Sequence, residues 1–424
     1  MNWPVRVLVV DDSPFSRRLV TDILQADPDI QVVGYARNGR EALEKVASLQ
    51  PRVVTLDQEM PVMDGLTTLT ALMAGNPVAV IMLSSHTAAG AAMTIKALEL
   101  GAVDFIPKPA PGDSLDDFTR QLTEKVKAAA RVPVTRLCRG KNCRENTPAP
   151  FISPRPGREE AAAAGTGSAA ATAAIGSRLS PGRSPGGKGG VAGAVSARSS
   201  RGEAIRPGKG TRAAITGAVA AGAGRLPGRR PGIEVVAIGT STGGPAALRQ
   251  VLTALPGSLP AGIVIVQHMP AGFTGPLARR LDELAALEVR EATAGDILRP
   301  GLALLAPAGR QMLLERHGDA VQVHLAAEAG ITTLFKPSVD ALFLTVAREY
   351  GPRSLGVILT GMGNDGLRGL RAIKEQGGTV IAQDEATSVV YGMPRAAVEA
   401  GLADLVLPLE DIAPAIVALV TGAG

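Results

Sequence analysis

Residues 233–245 are Ile233-Glu-Val-Val-Ala-Ile-Gly-Thr-Ser241-Thr-Gly-Gly-Pro245, an apolar run that leads into a serine within a glycine-rich turn. The apolar residues 235–238 predict a buried strand, and Pro245 suits the first turn of a helix over 246–255. The turn glycines permit tight or left-handed backbone angles. Ser241 should therefore lie at the carboxyl end of a strand and beside a helix N-terminus, where amide hydrogens stabilise an oxyanion. A phosphate-binding glycine turn explains this segment taken alone equally well.

The size and composition of the chain limit the classes of protein that it can form. With 424 residues it has room for two or three domains that each bury a core. Aromatic residues make up 3% of the chain, which argues against a base-stacking surface for nucleic acid. The two cysteines, Cys138 and Cys143, are too few for a disulfide framework or for the four-ligand set of a structural zinc site.

The sequence carries no visible signal for export or membrane insertion. The apolar run over 5–10 is short and ends in Asp11 and Asp12, and no small-residue cleavage site follows it. No segment reaches the roughly 20 apolar residues that span a bilayer. We therefore expect a cytoplasmic protein without membrane insertion.

The segment 131–232 differs from the rest of the chain in composition. It is rich in Ala, Gly, Pro, Ser and Arg without a sustained helix or strand period, so it cannot bury enough apolar surface to offset its ordering entropy. It carries 18 Lys or Arg and 4 Asp or Glu, a net charge of +14, which leaves −9 for the remainder of a chain whose total is +5. Clustered basic residues bind the phosphates of nucleic acids or membranes, but these charges are scattered singly, so a solvated spacer is the favoured interpretation. We predict a first domain over 1–130, a disordered linker over 131–230 and a second domain over 231–424.

Residues 1–130 alternate strands and helices. We predict strands over 5–10, 30–36, 53–56, 79–83 and 104–106, and helices over 14–25, 39–49, 66–73, 88–99 and 114–130. This order predicts an α/β domain with a doubly wound parallel sheet, whose functional site lies at the carboxyl ends of the strands.

Three carboxylates and a cation should meet at that edge of the first sheet. Asp11 and Asp12 follow the first strand, Asp57 follows the third, Ser84 ends the fourth and Lys108 follows the fifth. An Asp-Asp pair after a strand is by itself more often a helix cap than a ligand pair. Because three carboxylates repel one another, a Mg²⁺ ion would relieve the repulsion and leave a position for a phosphoryl oxygen. The full set predicts a site that holds a phosphoryl group on Asp57, with Mg²⁺ and Lys108 neutralising its charge.

This half of the chain resembles the receiver domain of two-component response regulators. The resemblance rests on Val-Val-Asp-Asp-Ser-Pro at 9–14, Leu-Asp-Gln-Glu-Met-Pro-Val-Met-Asp-Gly at 56–65, Met-Leu-Ser-Ser at 82–85 and Ile-Pro-Lys-Pro at 106–109. It implies a flavodoxin-like fold and transfer of a phosphoryl group from a histidine kinase to Asp57. It also implies that Mg²⁺ is bound by Asp11, Asp12, Asp57 and the backbone carbonyl of Glu59.

The same resemblance implies roles for further residues of the first domain. Ser84 and Lys108 would contact the phosphoryl group, and Ser84 and Phe105 would shift on phosphorylation. The bond between Lys108 and Pro109 would be cis, which proline permits. Gln58 departs from the pattern, because a hydrophobic residue usually follows the phosphoacceptor.

A serine nucleophile needs a base, and the second half of the chain offers one suitable histidine. Of the four histidines, His86 belongs to the first domain, and His317 and His324 flank a polar turn and look like surface positions of a hairpin. A lone histidine at a strand end is usually structural. His268, however, directly follows the apolar strand over 262–267 and should share one edge of the sheet with Ser241.

Asp365 is the candidate acid that orients this base. It follows a further apolar strand and a glycine turn in Gly356-Val-Ile-Leu-Thr-Gly-Met-Gly-Asn-Asp365. The strongest competing role for Asp365 is to cap the helix over 366–375. The chain order Ser, His, Asp also differs from that of the α/β-hydrolases, so the serine turn does not indicate an ordinary hydrolase of that fold.

The second half of the chain resembles the effector domain of the chemotaxis protein-glutamate methylesterases. The resemblance rests on Gly-Thr-Ser-Thr-Gly-Gly at 239–244, Gln-His-Met-Pro-Ala-Gly-Phe-Thr at 267–274, Phe-Lys-Pro-Ser-Val-Asp at 335–340 and Thr-Gly-Met-Gly-Asn-Asp-Gly at 360–366. It implies a Rossmann-like three-layer fold and a catalytic triad of Ser241, His268 and Asp365. It also implies that the backbone amides of Thr242 and Met362 bind the oxyanion, and that the esterase reaction needs no cofactor.

Together the two resemblances imply a phosphorylation-activated enzyme of chemotaxis adaptation. It would hydrolyse glutamate γ-methyl esters on chemoreceptors, release methanol and also deamidate receptor glutamines. Its partners would be a methyl-accepting chemoreceptor and a chemotaxis histidine kinase, with no role for nucleic acid. The unphosphorylated first domain would pack over the Ser241 edge, and the unusually long linker would weaken that packing.

Two other classes of protein remain open on the sequence alone. A phospho-regulated binding protein would use the second domain to recognise receptors without chemistry. A transcriptional regulator would combine the first domain with the basic segment, although no helix-turn-helix pattern follows that domain.

Overall fold

A computed structural model describes residues 4–85, 87–110, 112, 114–133 and 232–422 of the chain. Almost all of the predicted linker, together with His86, Cys138 and Cys143, lies outside these residues. The described residues form two α/β domains, an amino-terminal domain over 4–133 and a carboxyl-terminal domain over 232–422.

The amino-terminal domain is built on a five-stranded parallel sheet in the order β2-β1-β3-β4-β5. Its strands are β1 (Val5–Val10), β2 (Ile30–Ala36), β3 (Val53–Asp57), β4 (Ala79–Ser84) and β5 (Asp104–Pro107). Its helices are α1 (Pro14–Gln25), α2 (Gly39–Leu49), α3 (Gly65–Gly75), α4 (Ala88–Leu100) and α5 (Leu115–Ala130). The strand order is that of flavodoxin-like folds, so the predicted doubly wound parallel sheet is confirmed.

Alternate residues of each strand face opposite layers of this domain. On β1, Val7 and Val9 pack in one buried cluster with residues of α1 and α5, whereas Leu8 and Val10 pack in another with residues of α2 to α4. Fully buried central strands are expected to read as continuous apolar runs. This explains why the strands were visible in the sequence without an alternating pattern.

Polar residues cap the helices of the amino-terminal domain where they leave the sheet. In all five helices the side chain of the N-cap residue accepts a hydrogen bond from a backbone amide three residues further on, which is worth about 1 kcal/mol per helix. The caps are Ser13, Asn38, Asp64, Thr87 and Ser114. Each cap fixes the loop that joins a strand to its helix and thereby shapes the functional edge of the sheet.

The carboxyl-terminal domain contains a seven-stranded parallel sheet in the order β14-β13-β12-β6-β7-β9-β8, and a separate hairpin of β10 and β11. Its strands are β6 (Val235–Thr240), β7 (Gly262–Gln267), β8 (Glu288–Glu291), β9 (Leu302–Leu305), β10 (Gln311–His317), β11 (Ala320–Ala326), β12 (Ser354–Ile358), β13 (Thr379–Gln383) and β14 (Leu405–Leu407). Its helices are α6 (Gly244–Ala254), α7 (Thr274–Asp282), α8 (Val339–Tyr350), α9 (Leu367–Glu375), α10 (Met393–Glu399) and α11 (Leu409–Thr421). His317 and His324 are exposed on the hairpin, as the sequence predicted.

Helices cover both faces of this sheet and create the predicted three layers. Val236 and Ile238 of β6 pack in one buried cluster with residues of α6, α7 and α11, and Val235 and Ala237 pack in another with residues of α8, α9 and α10. The strand order reverses direction at β6, which lies between β7 and β12. Open parallel sheets bind their ligands at such a switch point, beyond the carboxyl ends of the strands.

The loops that follow β6 and β12 approach each other closely at this point. Gly243 adopts a φ of +80°, the left-handed conformation that favours glycine, and a Cβ there would lie 2.5 Å from Cβ of Val389. A Cβ on Gly361 would lie 2.8 Å from Cβ of Ser241. Glycine at position 361 therefore allows the loop that carries Met362 to lie directly against the serine.

One expectation from the resemblance is wrong. The bond between Lys108 and Pro109 is trans, and the cis peptide bond found among the described residues joins Lys336 to Pro337. A proline lowers the preference for the trans isomer without removing it, so a Lys-Pro dipeptide does not by itself determine the isomer.

None of the helices in the described part of the chain combines the length and apolar composition that crossing a bilayer requires.

Candidate functional site

The amino-terminal domain brings the predicted acidic residues together. One carboxylate oxygen each from Asp11, Asp12 and Asp57 lies within 4.8 Å of the other two. Lys108 Nζ lies 2.8 Å from Oδ2 of Asp11 and 2.8 Å from Oδ2 of Asp57. Hard carboxylate oxygens at this spacing suit a Mg²⁺ ion. The predicted role of the Glu59 carbonyl is not tested by these contacts and stays a prediction.

Burial decides the electrostatics of this cluster. It raises the pKa of Asp57 to about 6, with Asp11 adding to the rise, and the hydrogen bond and charge of Lys108 oppose it without cancelling it. Burial alone would lower the pKa of Lys108, but its contacts with Asp11 and Asp57 raise it instead. Lys108 therefore offsets part of the negative charge of the carboxylates when no metal ion is bound.

Gln58 organises a hydrogen-bond network that sequence reasoning did not foresee. Its buried side-chain amide donates to Gly90 O and to Thr94 Oγ1, both at 3.1 Å, and its oxygen accepts from Ser84 Oγ at 3.1 Å. Ser84 Oγ also lies 2.8 Å from Thr94 Oγ1. The Ser84 hydroxyl is thus held among neutral partners and makes no hydrogen bond to Asp57 in this state. Any contact of Ser84 with a phosphoryl group requires it to leave Gln58.

The polypeptide around Ser241 is fixed by backbone contacts from both neighbouring strands. Ser241 N donates to Thr360 O at 3.0 Å, in the loop after β12. His268 N donates to Thr240 O at 3.1 Å, so His268 follows β7 at the level where Ser241 follows β6. The buried Gln267 side chain donates to Ser241 O and to His268 O, both at 2.9 Å. Gln267 therefore ties the serine turn to the histidine turn.

Asp365 forms a hydrogen bond with the predicted base. Its Oδ2 atom lies 2.8 Å from His268 Nε2, and both side chains are buried. Asp365 also accepts from Ser338 Oγ at 2.9 Å, Val339 N at 2.7 Å and Asp340 N at 3.1 Å. Burial alone would raise the pKa of Asp365, but the contact with His268 and the two amides lower it. The carboxylate is therefore ionised and aimed at the imidazole.

The alternative role of Asp365 as a cap of α9 is wrong. The N-cap residue of α9 is Gly366, and no side chain caps that helix. Asp365 instead contacts the first amides of α8, whose N-terminus contributes a positive partial charge.

The structure joins His268 to Asp365 but does not join Ser241 to His268 by a hydrogen bond. His268 Nδ1 is buried and has no hydrogen-bond partner among the residues that the structure describes. Because Nε2 bonds to Asp365, Nδ1 is the ring nitrogen left to accept a proton. The amides of Thr242 and Met362 donate to no acceptor within the described residues, so both remain available to an oxyanion.

Several residues that shape this site were not singled out by sequence reasoning. Gln267 and Ser338 lie inside motifs that carried the resemblance, so their positions were marked although their roles were not. Gln311 has no such signal, because it enters the site from the hairpin.

The amino-terminal domain contacts the residue next to Ser241. Thr242 Oγ1 donates to Asp104 Oδ2 at 2.6 Å, and Lys125 Nζ donates to the other oxygen of Asp104 at 3.0 Å. Phe105 packs on Phe273 of the carboxyl-terminal domain with ring centroids 4.6 Å apart. A predicted switch residue and a predicted oxyanion residue thus belong to one interface.

An ion pair lies in the same interface, between α4 and α7. Arg280 Nε lies 2.7 Å from Glu99 Oε1. Hydrogen bonds that the Arg280 guanidinium donates to Glu99 and then to Glu283 raise the pKa of Arg280 further above its ordinary range. Apolar residues of α4, α6 and α7 join one buried cluster, so the polar contacts border an apolar one.

Comparison with known proteins places both domains. A family model described as CheB methylesterase matches residues 236–416, and one described as response regulator receiver domain matches residues 7–120. A protein of Moorella thermoacetica named protein-glutamate methylesterase/protein-glutamine glutaminase is 97% identical to this chain over 424 residues. The alignment covers 100% of both chains. The chain belongs to the protein-glutamate methylesterase/protein-glutamine glutaminase family.

Other members of this family match over nearly the whole chain. A protein of the same name from Desulfitobacterium hafniense is 45% identical over 417 residues, covering 98% of this chain and 97% of its own. Among solved structures, the crystal structure of the Thermotoga maritima CheB methylesterase catalytic domain matches with 41% sequence identity and a TM-score of 0.43. The match covers 45% of this chain and 100% of that chain. The protein-glutamate methylesterase family consists of hydrolases of chemotaxis signalling, so this chain is an enzyme that also carries a response regulator domain. The two other classes considered from the sequence are thereby excluded.

Proposed function

We propose that Ser241, His268 and Asp365 form the catalytic triad of this methylesterase. The observation that carries the proposal is the 2.8 Å bond between His268 Nε2 and Asp365, which leaves Nδ1 buried and without a partner in the described part of the chain. A buried nitrogen without a partner is costly, and a catalytic role is one reason for a protein to retain such an atom. Catalytic hydrogen bonds are often long or poorly aligned in ligand-free enzymes, and the proposal requires the Ser241 side chain to rotate toward Nδ1 to complete the triad.

The proposed reaction proceeds by acyl transfer to Ser241. His268 Nδ1 takes the proton of Ser241 Oγ as that oxygen attacks the ester carbonyl of a glutamate γ-methyl ester. His268 then returns the proton to the departing methoxide, which leaves as methanol. Water attacks the acyl-enzyme by the same proton transfers, which yields the glutamate carboxylate and restores Ser241. Asp365 holds the Nε2–H tautomer and stabilises the imidazolium between the two transfers.

The amides of Thr242 and Met362 are the proposed donors to the oxyanion of the tetrahedral intermediate. Two observations support this assignment. Neither amide donates a hydrogen bond to another group among the described residues, and Gly361 allows the loop that carries Met362 to lie against Ser241. A donor of this kind is worth about 10² to 10³ in turnover. The same acyl chemistry deamidates glutamine, with ammonia as the leaving group.

We propose a methylated chemoreceptor in the cytoplasm as the substrate and a chemotaxis histidine kinase as the phosphodonor to Asp57. Asp11, Asp12 and Asp57 would hold Mg²⁺, which when bound neutralises charge on the phosphoryl oxygens. Lys108 would pair with the phosphoryl group, since it already contacts Asp57. Ser84 would leave the Gln58 network to donate to that group.

We further propose that phosphorylation activates the enzyme by weakening the interface at Thr242. In the unphosphorylated chain, the bond from Thr242 to Asp104 and the contact of Phe105 with Phe273 keep the amino-terminal domain beside the nucleophile. Asp104 and Phe105 belong to β5, which pairs with β4, the strand that ends in Ser84. In this proposal, the β4–β5 pairing is the route by which a shift of Ser84 toward a phosphoryl group would move the residues of the interface.

The test of the triad is methanol release from a methylated chemoreceptor by Ser241→Ala. We expect near-complete loss of methanol release with receptor binding retained, because the substitution removes the nucleophile alone. Ser258→Ala, at an exposed serine in the loop after α6, is the matched control. Methanol release by Ser241→Ala at the wild-type rate would overturn the proposal.

A further inference from the structure

Phe335 lies flat against the imidazole of His268. The two ring centroids are 4.1 Å apart and the ring planes differ by 4°. Beyond this stack, the imidazole makes one hydrogen bond in the described structure, from Nε2 to Asp365. A single hydrogen bond fixes one atom of a ring but leaves the ring free to tilt about that bond.

Phe335 is itself held in place by a buried side chain. Gln311, which is fully buried, donates from Nε2 to Phe335 O at 2.8 Å and accepts at Oε1 from Ser338 N at 2.9 Å. Ser338 Oγ in turn donates to Asp365 Oδ1 at 2.9 Å. Gln311 therefore fixes a segment of the chain that contacts the imidazole at one end and its acid at the other.

We propose that Phe335 is a positioning residue that sets the plane of the His268 imidazole for proton transfer from Ser241. The inference rests on the proposed triad. Proton transfer requires the lone pair of Nδ1 to point at Ser241 Oγ, and this direction lies in the plane of the ring. The parallel stack restricts tilting out of that plane. The electron-rich face of Phe335 also attracts the positive charge of the imidazolium as it forms.

The proposal predicts a different result for an aliphatic and an aromatic replacement. Phe335→Leu keeps an apolar side chain but removes the flat face, and we expect kcat for methanol release to fall about three- to tenfold with KM unchanged. Phe335→Tyr keeps the face and should restore kcat to within about twofold of wild type. Leu334→Ala is the matched control, because Leu334 is the neighbouring residue, is 88% exposed and makes no ring contact with His268.

A second measurement detects the stack without using activity. Protons of His268 that lie over the Phe335 ring experience its ring current, so their NMR resonances should shift in Phe335→Leu and return in Phe335→Tyr. With four histidines in the chain, the His268 resonances can be assigned by substituting the other three in turn.

The outcomes separate this inference from the proposed triad. Unchanged kcat in Phe335→Leu, or a change confined to KM, would overturn the positioning role while loss of activity in Ser241→Ala keeps the triad intact. An unshifted His268 resonance in Phe335→Leu would also overturn it. If Ser241→Ala retains activity, the proposed function fails first.

Discussion

Asp365 is the residue at which several hydrogen bonds of the proposed catalytic site meet. It accepts hydrogen bonds from His268, from the Ser338 hydroxyl and from two amides of α8. We expect Asp365→Asn to lower turnover by about 10⁴, because an amide favours the wrong imidazole tautomer. Methanol release at saturating substrate measures this loss. Asp319→Asn, at an exposed residue of the hairpin, should change turnover less than about twofold.

The pKa of Asp365 also implies a dependence of stability on pH. Its folded pKa lies below the ordinary value of 3.8, so the folded state binds the proton less tightly than the unfolded state. The stabilisation that Asp365 contributes is therefore complete above that ordinary value and is lost as the pH falls through the folded pKa.

The turnover test of Asp365 has a clear contrary outcome. A wild-type turnover rate in Asp365→Asn would contradict the proposed role of this carboxylate.

The pKa of Asp57 is shifted in the opposite direction to that of Asp365, and the prediction that follows concerns stability rather than turnover. Its pKa of about 6 exceeds the ordinary 3.8, so the folded state binds the proton more tightly. Without metal ions, wild type should lose about 2 kcal/mol of stability relative to Asp57→Asn as the pH rises from 4 to 7. Thermal unfolding of both proteins across this range measures the difference.

Mg²⁺ provides the control for the Asp57 prediction. We expect it to raise the melting temperature of wild type at pH 7 and to lose its effect below pH 6, because protons compete for the same carboxylate. The same dependence of the melting temperature on pH in wild type and Asp57→Asn would refute the raised pKa of Asp57.

For single residues, the sequence identifies the candidate site side chains better than it identifies the side chains that hold them in place. Ser241, His268 and Asp57 each follow a strand, and their shared placement at the carboxyl ends of the strands, rather than any one position, indicates a site. Gln311 stands in a hairpin that is not part of the main sheet, and its contact with Phe335 depends on tertiary packing. No local pattern encodes that contact.

Among the elements of the first domain, most predicted boundaries lie within one residue of the observed ones, and the largest error is in the helix predicted over 66–73, which spans Gly65–Gly75. The helix Pro14–Gln25 begins and ends as expected, because Ser13 and the following proline mark its start. Strands β3 and β4 each continue one residue beyond the apolar run, since Asp57 pairs in register with Leu83 before the sheet ends. Pairing of β12 with β6 joins residues that are far apart in the sequence, so periodicity cannot predict it.

The turn between β6 and α6 gives a prediction at this scale. Gly243 has a φ of +80°, and an added Cβ would lie 2.5 Å from Val389. Left-handed backbone strain costs about 1–2 kcal/mol per residue. We expect Gly243→Ala to lower the free energy of unfolding by more than this amount, because the contact with Val389 adds to the strain. We also expect it to displace Ser241. Denaturant unfolding and methanol release measure the two effects. Gly295→Ala is the control, because Gly295 has a φ of +85° with open space around its Cβ position. Equal losses of stability in the two variants would show that the contact with Val389 has no cost.

For the whole molecule, the sequence predicted that the first domain packs near Ser241, but it did not predict which residues make the contacts. The bond from Thr242 to Asp104 joins two polar residues that no pattern pairs. The ion pair of Arg280 with Glu99 makes the interface testable by charge. We expect Arg280→Glu to raise methanol release by the unphosphorylated enzyme about two- to fivefold, because it places like charges together. Arg371→Glu, at an exposed arginine of α9, should leave the rate unchanged. A rate for Arg280→Glu that matches this control would argue against inhibition through the interface.

Removal of residues 1–130 tests the coupling of the two domains as a whole. If the amino-terminal domain restrains Thr242 and its amide, the truncated enzyme should release methanol about 5- to 100-fold faster than the unphosphorylated full chain. It should also no longer respond to a small-molecule phosphodonor with Mg²⁺, since Asp57 is absent. The long predicted linker lowers the effective concentration of one domain near the other, which places the expected gain toward the lower end of this range. Asp57→Asn in the full chain is the control that keeps the interface while preventing phosphorylation. Truncation that leaves methanol release unchanged or slower would mean that the contact at Thr242 does not restrain the catalytic site.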